Sequence, residues 1–457
     1  MKTLLSAVLR LPFRLLRRPG PLPHRLSFTL KLSCLIALLC VLESFIRWNT
    51  YSIPRPPPRK DLDTPFATQC LDPTLSAASH PRESAALVML ARNSELVSAL
   101  ETIRNIEEKF NQWFQYPIIF LNNEPFSSEF KSSLSAAVSG PTFFETIPAA
   151  DWGFPSHISP SAARKSIKQQ GERKDKVWNG GKESYHHMCR FYSGPFYHQE
   201  VLKKYKWYWR LEPGVKFTCA VTYDPFVQMA SHNKSYGYTI ALWEEPNTCP
   251  NLFRTVDTFR TEQHIPRSPQ WNALIDPELS VPAPVRWVKG LLGKGHHAEN
   301  GDRWNLCHYW SNFEIADLDF FRGKPYQDLF THLDKQGGFY FERWGDAPVH
   351  SLAVHLLLEK EKLHHFSDMG YHHEPFFQCP GNAPGGQLPE NKALGRMTGR
   401  ESRESEGAIG CRCECIDQRR RNNRGICLER MQRPQAWHRP SWWERYRGRY
   451  PYTINIW

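Results

Sequence analysis

Residues 84–126 constrain the fold more tightly than any other stretch. SAALVMLARN is an apolar run of strand length. SELVSALETIRNIEEKFNQWF follows, with Ser94 placed to cap it and Leu96, Leu100, Ile103 and Ile106 at helical spacing on one face. YPIIFLNNEPF is a second apolar run ending in a polar turn. Strand, amphipathic helix and strand in succession predict a βαβ unit, hence a mainly parallel sheet whose ligands sit at the carboxyl ends of the strands. Arg92 and Asn93 lie at one such end, Asn122 and Asn123 at another. Neither GxGxxG nor GxxxxGK[ST] accompanies them, so the usual dinucleotide and P-loop phosphate cradles are not expected.

A second strand tip carries chemistry. In YKWYWRLEPGVKFTC an aromatic run ends in the carboxylate of Glu212, and Pro213-Gly214 stops backbone pairing at once. The run YGYTIALWEE reads as another strand, finishing at Glu244 and Glu245. Residues 148–181 read as a surface loop, and 251–300, with five prolines, as a long irregular excursion. GGFYFERWGDAPVHS reads as a Gly-Gly pair, a strand and Asp346 just ahead of a helix that begins at Ala347-Pro348. In FSDMGYHHEPFFQCP, a histidine of the His372-His373 pair could join a distant carboxylate around a divalent ion.

Length and charge narrow the partners. At 457 residues and 40% hydrophobic content the chain can bury a sizeable core. The net charge of +12 sits at the ends: without residues 1–31 (seven basic, no acids) and 381–457 (fifteen basic, eight acidic) the middle carries about −2. Nucleic acid is therefore not an expected partner. Basic residues up to Lys31 precede an apolar run from Leu32, with Trp48 and Tyr51 beyond it. By the positive-inside rule this predicts a single-span signal anchor, with residues 1–31 cytoplasmic, 32–47 in the membrane, 48–80 a proline-rich stem, and 81–430 a lumenal domain. Residues 431–457, rich in Arg and Trp, read as an extension. Ten cysteines lie beyond the apolar run, an even number that in an oxidising compartment favours disulfides over metal ligation. Asn233-Lys234-Ser235 is a glycosylation acceptor.

Six blocks, YPIIFLNNEPF, ESYHHMCRFYSG, WYWRLEPGVKFTC, NLCHYWSNFEIA, GGFYFERWGDAPVHS and FSDMGYHHEPFFQCP, occur in an order that resembles the fungal Kre2/Mnt1 family of Golgi α-1,2-mannosyltransferases, glycosyltransferase family 15. The resemblance covers roughly residues 81–430 and implies a GT-A type α/β domain. It implies a type II Golgi membrane enzyme that moves mannose from GDP-mannose to mannose-ended N- or O-linked glycans. It also assigns residues: Glu212 and His373 to Mn²⁺, Glu314 to catalysis as the proposed nucleophile, and Arg92, Tyr185 and Asp346 to the donor. Gly214 and the tail after Cys427 depart from the family pattern. Asp317-Leu318-Asp319 has the DxD form that many sugar-nucleotide transferases use for a metal, but it falls in an apparently helical run and is read as a decoy.

The chemistry stands beside the resemblance. A departing diphosphate needs a metal or cations to neutralise developing charge. An α-linked product from an α-linked donor requires retention, either through a glycosyl-enzyme on a carboxylate or by front-face attack. Glu314 serves the first route as nucleophile and the second as a stabiliser. A non-catalytic, membrane-tethered glycan-binding protein on a transferase scaffold is the alternative, and the presence of Glu212, Glu314 and His373 argues against it.

Overall fold

The computed structural model describes residues 24–51, 63–79, 81–175, 177–276, 278, 281–293, 295–385, 404–414 and 426–432. Helix α1 (His24–Tyr51) contains a 19-residue segment, Phe28–Ile46, long and apolar enough to cross a membrane. The predicted βαβ unit follows as β1 (Ala85–Leu90), α2 (Leu96–Ile106) and β2 (Ile118–Asn122). A short turn of helix at Asn93–Glu95 precedes α2. Its N-cap is Arg92, whose backbone N–H donates to the Glu95 carboxylate at 2.8 Å, so Ser94 is not the cap.

β3 (Thr142–Thr146), α3 (Pro160–Glu172), α4 (Glu183–Ser193), β4 (Trp207–Leu211), β5 (Lys216–Phe217), β6 (Tyr236–Tyr238) and β7 (Ala241–Trp243) come next. They are followed by α5 (Leu252–Glu262), α6 (Pro269–Ala273), α7 (Ala283–Leu291), β8 (Cys307–Tyr309), β9 (Glu314–Asp317) and α8 (Leu318–Arg322). The last elements are α9 (Asp346–Leu357), β10 (Leu363–His365), β11 (Tyr371–His373), β12 (Phe376–Gln378) and α10 (Ile426–Gln432).

The central sheet has the order β10, β6, β9, β4, β1, β2, β3. Every pairing is parallel except those of β9, which runs antiparallel between β4 and β6. Both faces are covered, so the strands read as near-continuous apolar runs. Ala86, Val88 and Tyr208 point into one core layer, while Ala85, Leu87, Met89, Trp207, Trp209 and Leu211 point into the other. β7 pairs with β8, and β5, β11 and β12 form a small antiparallel sheet beyond the end of β4.

Several expectations need correction. KSIKQQGERKDK, assigned to a loop, lies largely in α3: Ser159 caps the helix, Pro160 begins it, and Ala163, Ile167 and Gln170 are buried. The excursion at 251–300 holds α5, α6 and α7, because Pro269 starts a helix and Pro282–Pro284 flank the start of another, positions where proline costs no backbone hydrogen bond. GGFYFERW contains one helical turn, Gly338–Phe341, and no strand, and helix α9 begins at Asp346 itself. YGYTIALWEE divides between two sheets. Within the expected stem, Phe66 stacks on His364 and Cys70 is bonded to Cys411, so residues 63–79 are docked on the domain. Residues 431 and 432 belong to α10, where Met431 is buried, and the remainder of the C-terminal extension lies outside the described residues.

Disulfide Cys70–Cys411 joins the segment before the domain's first strand to its C-terminal part, Cys219–Cys413 and Cys307–Cys427 tie that C-terminal part to the loop after β5 and to β8, and Cys379 is also disulfide-bonded. Cys189 and Cys249 are free thiols buried in the main core, so the even count overstates the pairing; both pack as small apolar side chains.

Candidate active site

The site forms where β4 stops. Period-two alternation turns Tyr208 and Arg210 to one face of the sheet, and Gly214, at φ +90°, completes a turn that carries Glu212 clear of the strand. Antiparallel β9 enters beside it with Glu314 opposite Arg210. This single antiparallel strand brings its first residue to the edge where the parallel strands end.

Arg210 is the hub. It is 2% exposed, donates to Glu212 Oε1 at 2.6 Å and to Asp346 Oδ2 at 2.6 Å, and lies over the Tyr192 ring at 3.5 Å. Asp346 also accepts from Ser311 Oγ at 2.7 Å. Burial works against its charge, but Arg210 and His350 outweigh that and hold the carboxyl below its ordinary value. The Tyr192 hydroxyl and Arg210 Nε are buried without hydrogen-bond partners among the described residues.

Glu314 is fully buried. Its carboxylate accepts from Tyr208 OH at 2.8 Å, Tyr236 OH at 2.7 Å and His350 Nδ1 at 2.7 Å. His350 Nε2 lies 3.0 Å from the Tyr192 carbonyl oxygen, which can only accept. Nε2 also lies 2.8 Å from the Tyr197 hydroxyl, which can accept as well, so the site has an acceptor for each ring nitrogen and accommodates the doubly protonated imidazole. Desolvation opposes this, but Glu314 prevails and raises His350 above its ordinary value.

Glu212, by contrast, is partly exposed, and its Oε2 accepts from no donor among the described residues. His373 ends β11, which pairs with β5 in a register that sets His372 opposite Lys216 and leads His373 toward the Glu212–Gly214 turn. Its ring stacks on Trp310 at 5.0 Å, and Nδ1 lies 2.6 Å from the Asn312 amide, which is itself held by Tyr371 OH. These contacts fix the ring plane and engage Nδ1, leaving Nε2 without a hydrogen bond among the described residues. Around Arg210 three carboxylates face two cations, and the residual negative charge suits a divalent ion. Among the described residues no group of three His, Cys, Asp or Glu side chains is arranged for a metal, so an ion held by Glu212 and His373 would draw its remaining ligands from substrate oxygens and water.

Helix α4 joins this hub to a second group. Its far end carries Tyr192, and its first turn carries Ser184 and Tyr185. Arg92, exposed at the end of β1, donates to Ser184 Oγ at 3.2 Å. Arg343 stands 5.5 Å from the centre of the Tyr185 ring and donates to Glu244 at 3.1 Å. Burial, reinforced by Cys189, pushes the Tyr185 phenol up, so it acts as a neutral hydroxyl. Asp317 and Asp319 lie at the other end of β9, by the start of β4, where Asp317 caps α8. Asn233 is exposed in the turn before β6, on that same far edge.

Arg210, His350, Tyr208, Tyr236, Asn312 and Arg343 escaped the sequence reading. Arg210 had a signal, since an arginine two residues before Glu212 must share its side of the strand. The tyrosines and His350 had none, because their partner is far away in sequence.

A family model described as glycolipid 2-alpha-mannosyltransferase matches residues 60–384. The chain is 38% identical over 420 residues to O-glycoside alpha-1,2-mannosyltransferase homolog 4 of Schizosaccharomyces pombe, covering 88% of each chain. In structure it resembles core-mannan synthase A of Aspergillus fumigatus in its Mn/GDP form, with a TM-score of 0.60 and 38% identity over 73% of this chain and 85% of that one. It also resembles the mannosyltransferase Ktr4p of Saccharomyces cerevisiae in complex with GDP, with a TM-score of 0.60 and 33% identity over 76% and 83%. The sheet is that of a GT-A type domain.

Proposed function

The chain belongs to the glycolipid 2-alpha-mannosyltransferase family, and on that premise we propose that it transfers mannose from GDP-mannose to the terminal mannose of N- or O-linked glycans, with retention and in α-1,2 linkage. The observation that carries the reading is the open Glu212 carboxylate in the turn after β4 together with the braced His373 at the end of β11, the strand whose register leads it toward that turn. These two residues would hold Mn²⁺, which when bound supplies positive charge to the departing diphosphate. The A. fumigatus relative was solved with Mn and GDP, and the donor and metal are carried over from it. Arg92 meets donor phosphate and Tyr185 offers a neutral hydroxyl and a ring to the nucleotide sugar. Asp346 acts through Arg210, since its carboxylate is committed to Arg210 and Ser311.

Glu314 has both oxygens occupied by three donors and no exposure, which supports front-face transfer. In this route its charge, relayed through the tyrosines and balanced by His350, stabilises the oxocarbenium-like state without attacking it. The same reading takes the chain as a type II Golgi membrane protein with its domain lumenal and Asn233 glycosylated on the edge away from the site, and the apolar segment Phe28–Ile46 of α1 supports the anchor.

The test is transfer by the purified full chain from GDP-mannose to an α-mannoside in Mn²⁺ and in chelator, with product linkage determined. We expect Mn²⁺-dependent α-1,2 product; no transfer to any mannose-ended acceptor would sink the assignment. Azide added to Glu314→Ala separates the routes: formation of an inverted glycosyl azide would favour a nucleophilic Glu314.

A further inference from the structure

Helix α7 is inside out for a domain surrounded by water. An amphipathic helix ordinarily turns its apolar stripe to the core. Here Arg286 and Gly290 face inward. Arg286 is buried, donating to the Val281 carbonyl and pairing with Glu43 of α1. Gly290 sits so close to the 298–301 loop that a Cβ would lie 2.6 Å from the Ala298 oxygen, and its own carbonyl accepts from Arg254. Outward point Val285, Trp287, Val288, Leu291 and Leu292, each between 45% and 61% exposed. Their spacing makes one continuous stripe along the helix. Lys289 lies at its flank, 3.5 Å from Glu278.

The neighbour of α7 says what covers this stripe. Apart from α1, no described helix is long and apolar enough to cross a membrane, and α1 meets α7 through the Glu43–Arg286 pair. Glu43 lies three residues before Ile46, the domain-side end of the apolar segment. At about 1.5 Å of rise per residue that is roughly 4.5 Å inside the end, close to the depth of about 5–10 Å at which interfacial helices bury their apolar faces. A tryptophan in the stripe fits the same zone.

Resting on the reading of α1 as a span, we propose that α7 is a membrane-surface helix: Val285, Trp287, Val288, Leu291 and Leu292 enter the leaflet from which α1 emerges and seat the domain on the bilayer. The docked segment 63–79 agrees, since a chain tied back onto its domain does not hold that domain at a distance.

The full chain, reconstituted at one copy per phosphatidylcholine vesicle carrying a diazirine on the acyl chain, is photolysed and its lipid-modified peptides are mapped. Modification of the peptide containing 285–292 as well as that containing 28–46 is expected. In the double variant Trp287→Glu, Leu291→Glu the first should fall several-fold and the second stay, with unfolding temperature in detergent unchanged because both side chains are exposed. Label on 28–46 alone overturns the proposal. Label on neither removes the span and the proposal with it. A dimer dissociated by Leu291→Glu, with 285–292 unlabelled, would give the stripe to a second copy and likewise overturn it.

Discussion

Glu212 and Glu314 flank one arginine at the same edge of one sheet, yet they are built for opposite tasks. Glu314 is sealed by two tyrosines and a histidine whose charged form it favours, with no exposed surface. Glu212 keeps one oxygen open and stands on a turn. A buried carboxylate that holds three donors is fixed in place, whereas an open one can take a ligand. The pair shows that strand direction, more than residue type, distributes roles here: β4 ends at the site and delivers a partly exposed acid, while β9 begins there and delivers a buried one.

The largest effect should come from breaking the sealed side. His350→Leu leaves the Glu314 charge without its cation, a loss of about 3–5 kcal/mol for a buried pair broken on one side. Because His350 is raised in the fold, its contribution is fully present below the unfolded value of about 6.5 and is lost as pH rises through the higher folded value. Urea unfolding of wild type and variant should therefore show a gap that is widest near pH 6 and narrows toward pH 9. A gap independent of pH would mean the imidazole is neutral in the folded protein.

Next comes Glu314→Gln, which keeps the shape and removes the charge. Turnover should fall about 10²–10³-fold, the loss typical of one preorganised electrostatic group, with the KM for GDP-mannose little changed. A rise in KM with turnover intact would move Glu314 from transition-state stabilisation to donor binding. Glu212→Gln should act on the open side instead. The Mn²⁺ concentration giving half-maximal rate should rise by on the order of 10–100-fold, a scale set by losses around metal sites, while saturating Mn²⁺ restores much of the rate. Unchanged metal dependence would dismantle the contrast between the two acids.

Physical range decided how much of this was readable in the sequence. The βαβ unit was legible because two apolar runs and an amphipathic helix lie within one short stretch, and Glu212 because Pro213-Gly214 marks the strand end locally. The resemblance marked Glu314 and His373, but nothing local described their surroundings. The donors to Glu314 come from 106, 78 and 36 residues away, and Asn312 reaches His373 across 61. Prolines misled the reading of 251–300 because the same residue ends strands and begins helices. Cys189 and Cys249 misled the count because a buried thiol packs as well as a methyl group.

The smallest effect is the most discriminating for the comparison, because it concerns acids on the same strand as Glu314. Asp317 and Asp319 carry the DxD pattern, but β9 runs antiparallel, so they emerge beside Trp207 at the start of β4, a full strand length from Glu212. There Asp317 accepts the Asp319 N–H at 2.9 Å as an N-cap, and Asp319 lies 3.7 Å from Arg322 with most of its side chain in solvent. Asp319→Ala should change stability by less than about 0.5 kcal/mol and Asp317→Ala by about 1 kcal/mol, the worth of a cap. Neither should alter the Mn²⁺ dependence of transfer. If Asp319→Ala shifted that dependence as Glu212→Gln is expected to, the metal would sit at the opposite edge of the sheet, and Glu212 would be only the counter-charge of Arg210.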